Sequence, residues 1–235
     1  MGRYRWLFFD LFDTLVVVDE EIYYKGKAES AEAAGLDPDE FIEAWRSTSE
    51  PALVGKLKDP FARATEALKI LGKEERSLSA KIAMYDIEVL QRCVSFYDGA
   101  TETLTVLRDR GFNLALLSNA TATTAFIVST LHLRDRLDHL VFSYEIGCRK
   151  PDPRFYQIAL ERTLAVPEES LFIADGANRE LDAARDAGIE TLKICHPVKA
   201  LTFMNRDNMS SDGHREVGSF SELLALEDLQ NSKSV

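Results

Sequence analysis

The chain opens on RWLFFD, residues 5–10, a short aromatic-rich apolar run with the length and composition of a buried strand. From about residue 19 to 95 the pattern changes: Ala, Glu, Lys and Leu predominate, and apolar residues recur at helical spacing in stretches such as FIEAW and ATEALKIL. This predicts an all-helical insertion of four helices, turning at Gly35-Leu36-Asp37-Pro38, at Asp59-Pro60 and at Gly72. From Tyr97 onward, helices alternate with apolar runs. A helix over 101–110 stops at Gly111, suited to a left-handed C-terminal cap, and NLALLSN follows as a strand. LDHLVFS (137–143), LFIAD (171–175) and ETLKIC (190–195) read as further strands. Between them, Asp152 caps a helix whose first turn holds Pro153, and another helix ends at Gly188. After Cys195 the pattern weakens: residues 205–214 form a polar loop, GSFSELLALEDL reads as a last helix capped by Ser219 or Ser221, and NSKSV as a disordered tail.

Strands alternating with helices of about ten to fifteen residues predict a doubly wound, Rossmann-like parallel sheet covered on both faces. The expected division is an α/β core of residues 1–18 and 96–235, interrupted by a helical-bundle cap of residues 19–95. Such sheets bind ligands at the carboxyl ends of their strands. The polar residues at those ends are Asp10, Ser118, Asn119 and Asp175, so separate parts of the sequence converge on one edge.

Composition narrows the partners. A formal net charge of −11 over 235 residues argues against broad attraction to nucleic acid or an anionic membrane and leaves a small molecule held at a site. Cys93, Cys148 and Cys195 lack metal-like or redox-like spacing, which fits a reducing compartment, by default the cytoplasm. The N-terminal apolar run is broken by Asp10 and Asp13 and is not followed by a small-residue cleavage site, and no apolar stretch approaches the roughly 18 residues of a membrane span. Oligomeric state is not legible.

Four stretches in order, DLFDTLV, LLSN, RKPDP and FIADGANRELDAARDAG, resemble the motifs of the haloacid dehalogenase superfamily of hydrolases. The resemblance runs from residue 5 to about 195 and includes a helical insertion after the first motif, similar to that family's first type of cap. It implies Asp10 as a nucleophile that attacks phosphorus and forms an acyl phosphate, splitting hydrolysis into two easier steps. Taken alone, Asp10 reads equally as an aspartate that ends a strand. Ser118 can donate to a phosphoryl oxygen beside backbone N–H groups that favour the same anion, or it can be a plain helix cap. Asn119 and Thr14 join it as candidate phosphate contacts. Lys150 can stabilise both Asp10 and the transferring phosphoryl group; a lysine before proline is otherwise a solvated loop residue. Asp175 and Glu180 span a strand-to-helix turn, where carboxylates can serve Mg²⁺ directly and through its waters. The resemblance adds the Phe12 backbone carbonyl to Asp10 and Asp175 as metal ligands. Glu180 stands where relatives more often carry Asp, and Asp182 is expected to face away on the helix.

Phe12 departs from the pattern. The family's phosphatases carry a second Asp there as general acid and base, and losing such a group costs on the order of 10²–10⁴ in rate. Three readings follow: a Mg²⁺-dependent phosphohydrolase of a small phosphorylated metabolite that manages without that acid, a 2-haloacid dehalogenase-like hydrolase, or a catalytically weak member that binds a ligand or protein. Dehalogenases carry an aromatic residue at this position, because a leaving halide needs no proton, but generally replace the aspartate matching Asp175. Its retention favours phosphate chemistry. Asp13, in a position commonly Gly, is expected to hydrogen-bond its loop backbone, with replacement of the missing acid as the alternative. Arg46, Lys56 and Arg63 are expected to make surface ion pairs rather than to meet an anionic substrate, and Tyr23, Tyr24 and Trp45 to fill the cap core rather than to form a substrate platform.

Overall fold

The computed structural model describes residues 2–196 and 209–232. Strand β1 (Trp6–Phe9) and β2 (Val16–Val18) lead into α1 (Glu20–Ala33), α2 (Pro38–Ser47), α3 (Ser49–Leu53), α4 (Pro60–Ile70) and α5 (Arg76–Cys93). The chain returns through β3 (Val94–Phe96) to α6 (Ala100–Asp109), β4 (Asn113–Ser118), α7 (Ala122–Thr130), β5 (His139–Phe142), α8 (Ser143–Ile146) and α9 (Pro153–Thr163). It closes with β6 (Ser170–Ala174), α10 (Glu180–Asp186), β7 (Glu190–Ile194), β8 (Arg215–Val217) and α11 (Phe220–Ala225).

Among the described residues, six strands form a sheet in the order β5-β4-β1-β6-β7-β8, every neighbouring pair parallel. Its central strands are apolar throughout because both faces are covered. Alternation sorts them: Leu7, Phe9, Leu114, Leu116, Leu171 and Ile173 join one core, while Trp6, Phe8, Ala115, Leu117, Phe172 and Ala174 join the other. A separate core of Leu36, Phe41, Trp45, Leu68 and Ile82 holds the inserted helices together. The insertion stands on a two-stranded antiparallel stem, with Val16 opposite Phe96 and Val18 opposite Val94. Asp19, Asp37 and Asp59 cap α1, α2 and α4, the latter two followed by proline in the first turn. At Gly55 the insertion meets α8 so closely that an added β-carbon would overlap the Tyr144 carbonyl.

The inserted helices number five rather than four, because SEPAL adds one turn, α3, with Pro51 early enough to be tolerated. Strand β5 is shorter than LDHLVFS, since Ser143 already begins α8. Strand β8 was invisible as a pattern: of its three residues, two are exposed. Ser219 caps α11. Residues 205–208 of the expected polar loop and 233–235 of the expected tail lie outside the described residues. Ser232, however, donates its N–H to the Arg110 carbonyl at 3.1 Å, which tethers the start of that tail. Among the described residues, no helix is long and apolar enough to cross a membrane.

Candidate active site

Parallel register aligns the strand ends. Phe9 lies level with Leu116 of β4 and with Ile173 of β6, so Asp10, Ser118 and Asp175 emerge together at the carboxyl edge. From the β5 side, the loop before α9 delivers Lys150. Its ammonium donates to Asp10 Oδ1 at 2.5 Å and to Glu180 Oε2 at 2.6 Å. Lys150 is 1% exposed, which excludes the solvated-loop reading. Burial alone would lower its pKa, but the flanking Asp10 and Glu180 carboxylates outweigh that and raise it. Burial pushes Glu180 well above the ordinary carboxylate range against the pull of Lys150, and the charges of Asp10 and Asp175 push the same way.

The Asp10, Asp175 and Glu180 carboxylates are all buried, and each offers one oxygen within 4.8 Å of the others. Glu180 Oε1 has no hydrogen-bond partner among the described residues, nor do the buried hydroxyls of Thr14 and Ser118. Three acids against one ammonium, with an orphaned carboxylate oxygen, form an all-oxygen set that suits a hard divalent cation such as Mg²⁺. The orphaned hydroxyls supply donors for an oxyanion. Ser118 is not the cap of the helix that follows it. Thr121 fills that role in a capping box with Thr124.

Local backbone geometry prepares the edge. Asp13 adopts φ 56°, the left-handed conformation that explains why a glycine is common there, and its carboxylate accepts from the Tyr97 hydroxyl at 3.1 Å. Burial first, and the charge of Asp175 second, push the Tyr97 phenol up to about 12, so it remains a donor at neutral pH. His196 stacks on Tyr97 and meets the Thr14 carbonyl at 2.9 Å. After Asp175, Gly176, Asn178 and Arg179 all have positive φ, a strained turn that places Glu180 beneath Lys150. Ser210 straps this turn, donating to the Gly176 carbonyl and accepting from the Leu181 N–H.

Two of the expected residues have partners that the sequence did not show. Asn119 spans the Lys150 peptide, donating Nδ2 to its carbonyl at 2.9 Å and accepting its N–H at 2.8 Å. Its amide holds the lysine in place rather than standing open to phosphate. Asp182 turns from the acid cluster as expected but is buried, where it accepts from Ser211 and pairs with His214 at 3.0 Å. The pattern also missed the Tyr156 hydroxyl, which donates to the Glu180 carbonyl at 2.7 Å.

Above the edge, a cavity of about 610 Å³ runs between core and insertion, lined by Phe12 and Asn119 from the core and by Trp45, Arg63, Lys27 and Asp86 from the insertion. Arg149 crosses the gap to Glu50 at 2.8 Å. Asp86 takes the Lys27 ammonium on one oxygen and the Thr123 hydroxyl, from the core, on the other at 2.6 Å. Arg63 is buried and makes no surface ion pair, contrary to expectation, whereas Lys56 is exposed. Trp45 packs in the core of the insertion as expected, but Tyr23 packs against the core on one face of the sheet, and both line the cavity.

A parallel sheet with a lysine-bound acid cluster at its carboxyl edge and a helical insertion above it is a hydrolase architecture. The family model for haloacid dehalogenase-like hydrolases matches residues 4–188, and the chain belongs to that family. It is 29% identical over 137 residues to haloacid dehalogenase-like hydrolase domain-containing protein 3 of Mus musculus, covering 58% of this chain and 53% of that protein. The chain thus spans about half the length of its mammalian relatives. It is 29% identical over 206 residues to (S)-2-haloacid dehalogenase 1 of a Pseudomonas species, covering 83% of this chain and 86% of that one. The fold is also similar to a haloacid dehalogenase family enzyme of Bacteroides thetaiotaomicron solved with magnesium and inorganic phosphate. That match has a TM-score of 0.63 at 19% identity, over 81% of this chain and 93% of the other.

Proposed function

We propose that this hydrolase is a Mg²⁺-dependent phosphohydrolase of a small phosphorylated metabolite, acting in the cytoplasm with its insertion as a cap. The observation that carries the reading is the buried Asp10–Asp175–Glu180 cluster, with its orphaned Glu180 oxygen, closed around Lys150. Asp10, Asp175 and the Phe12 carbonyl would hold the ion, with Glu180 behind it; when bound, Mg²⁺ would neutralise charge on the phosphoryl group. Asp10 attacks phosphorus, the P–O bond to the leaving group breaks and that group departs as an oxyanion that takes its proton from water; a second water then attacks the aspartyl phosphate to release phosphate and restore Asp10. Ser118 and Thr14 donate to the phosphoryl oxygens, and Lys150 stabilises the charge that builds on them. Asn119 and Tyr156 keep Lys150 and Glu180 in register for this.

Phe12 leaves the leaving group without a proton donor, which directs the activity toward substrates with good leaving groups. The same apolar side chain supports a second reading, a 2-haloacid dehalogenase, in which Asp10 attacks carbon and halide departs unprotonated. Hydrolysis of an activated aryl phosphate decides between them. The phosphohydrolase requires Mg²⁺ and loses activity in Asp10→Asn; metal-independent halide release from a 2-haloacid, with the aryl phosphate untouched, would replace it with the second reading.

A further inference from the structure

The insertion side of the cavity carries a surplus of donors. Lys27 and Arg63 are both at least nine-tenths buried there, with Asp86 as the single acid among them. Both Asp86 oxygens are already engaged, one by Lys27 and one by Thr123. Arg63 finds no carboxylate within ion-pair distance among the described residues. It spends Nε on Thr48 Oγ1 at 3.0 Å and Nη2 on the Trp45 carbonyl and Ser49 Oγ, which leaves Nη1 without a hydrogen bond. Trp45, whose ring lies 4.0 Å from the Lys27 ammonium and 4.3 Å from the Arg63 guanidinium carbon, has a buried indole N–H that also lacks a partner among the described residues. Buried donors left unmade cost free energy, and a buried cation without a counterion costs more. Two positive charges against one negative leave room for a single monoanion.

We propose that Arg63, Lys27 and Trp45 form a subsite for a carboxylate at the end of the substrate remote from its phosphate. This rests on the phosphohydrolase reading for the other end. The free Arg63 Nη1 and the indole N–H can each donate to one oxygen of a carboxylate, and the net charge of one matches its single charge. Phe12, Leu53 and Leu90 also line the cavity and offer an apolar wall to the linking carbons. The substrate is thus a phosphate ester of a hydroxy acid, anionic at both ends and apolar between. Burial is the first reason that the Lys27 pKa is lowered, with Asp86 opposing it and the facing Arg63 adding to it, and a bound anion would relieve both.

The test compares kcat/KM, at saturating Mg²⁺, for a short series of alkyl phosphates ending in a carboxylate and for their methyl esters. Wild type should prefer the acid by about tenfold or more, the worth of a charged hydrogen bond. That preference should fall toward unity in Arg63→Gln, mainly through KM. Trp45→Phe, which keeps an aromatic ring but removes the N–H, should reduce it too and serves where Arg63→Gln fails to fold. Equal turnover of acid and ester by wild type overturns the subsite and leaves the phosphohydrolase standing. If neither phosphate turns over, the phosphohydrolase fails, and the subsite is then judged by tryptophan fluorescence of wild type titrated with the phosphate-free alkyl carboxylate. A saturable change absent with the methyl ester and absent in Trp45→Phe upholds it; a flat titration overturns it.

Discussion

The two buried charge clusters of this molecule are built in opposite senses. At the sheet edge, three acids surround one lysine; inside the insertion, one acid serves a lysine and an arginine. Among the described residues, each cluster is left with an excess of charge, negative below and positive above. On the proposed reading the cavity between them is polarised, taking a cation at the floor and an anion at the roof. Overall charge conceals this, because a chain of net charge −11 gives no hint of a basic pocket.

The severest break of the comparison is Asp10→Asn. Removing the nucleophile of a hydrolase costs on the order of 10⁶ in kcat, so turnover of an aryl phosphate should fall to background while the thermal midpoint changes little. Next comes Lys27→Met, which leaves Asp86 buried with half its partners gone; chemical denaturation should show a loss of about 3–5 kcal/mol, partly recovered in Lys27→Met with Asp86→Leu. Phe12→Asp sharpens the contrast from the floor. If the missing proton donor limits turnover, restoring it should raise kcat on an alkyl phosphate by about 10²-fold, and a fall instead would assign Phe12 to another mechanism. The smallest effect is expected at Asp182. Burial would raise its pKa, but hydrogen bonds from Ser211, His214 and Arg179 prevail and hold it well below the ordinary carboxylate range. Its stabilising contribution is therefore complete above the unfolded value, about 3.9, and is lost as pH falls through the lower folded value. Asp182→Asn should flatten that acid limb in a series of thermal melts, with little change near neutrality.

The floor was far more legible in the sequence than the roof. RWLFFD and LFIAD announce central strands because both faces of such strands are buried, and Asp10, Ser118, Lys150 and Asp175 each follow a strand or turn signal that fixes their place on the edge. What escaped depends on pairs distant in the chain. Lys27 and Asp86 lie 59 residues apart, and Asn119 and Lys150 lie 31 apart. An arginine on an amphipathic helix, such as Arg63, reads as a solvated residue until the neighbouring helix covers it. One signal was available: Gly26, beside Lys27, marks a close approach of helices, since an added β-carbon would crowd Val89 of α5. Asp13 was a half-legible case, since an acid in a position commonly glycine implied a left-handed turn but not its Tyr97 partner.

The seat of the insertion on α8 has a consequence of clearance. Because Gly55 lacks a side chain, two backbones come into contact where any other residue would act as a shim. In Gly55→Ala that shim is a single methyl against the Tyr144 carbonyl, and the expected outcome is a shift of the insertion away from α8. Water would reach a floor where Lys150 is now dry, and the gap between the two charge clusters would widen with it. The glycine is in this sense the gauge of the chamber, and faster amide exchange around β4 and the Lys150 loop in the alanine variant would measure how finely it is set.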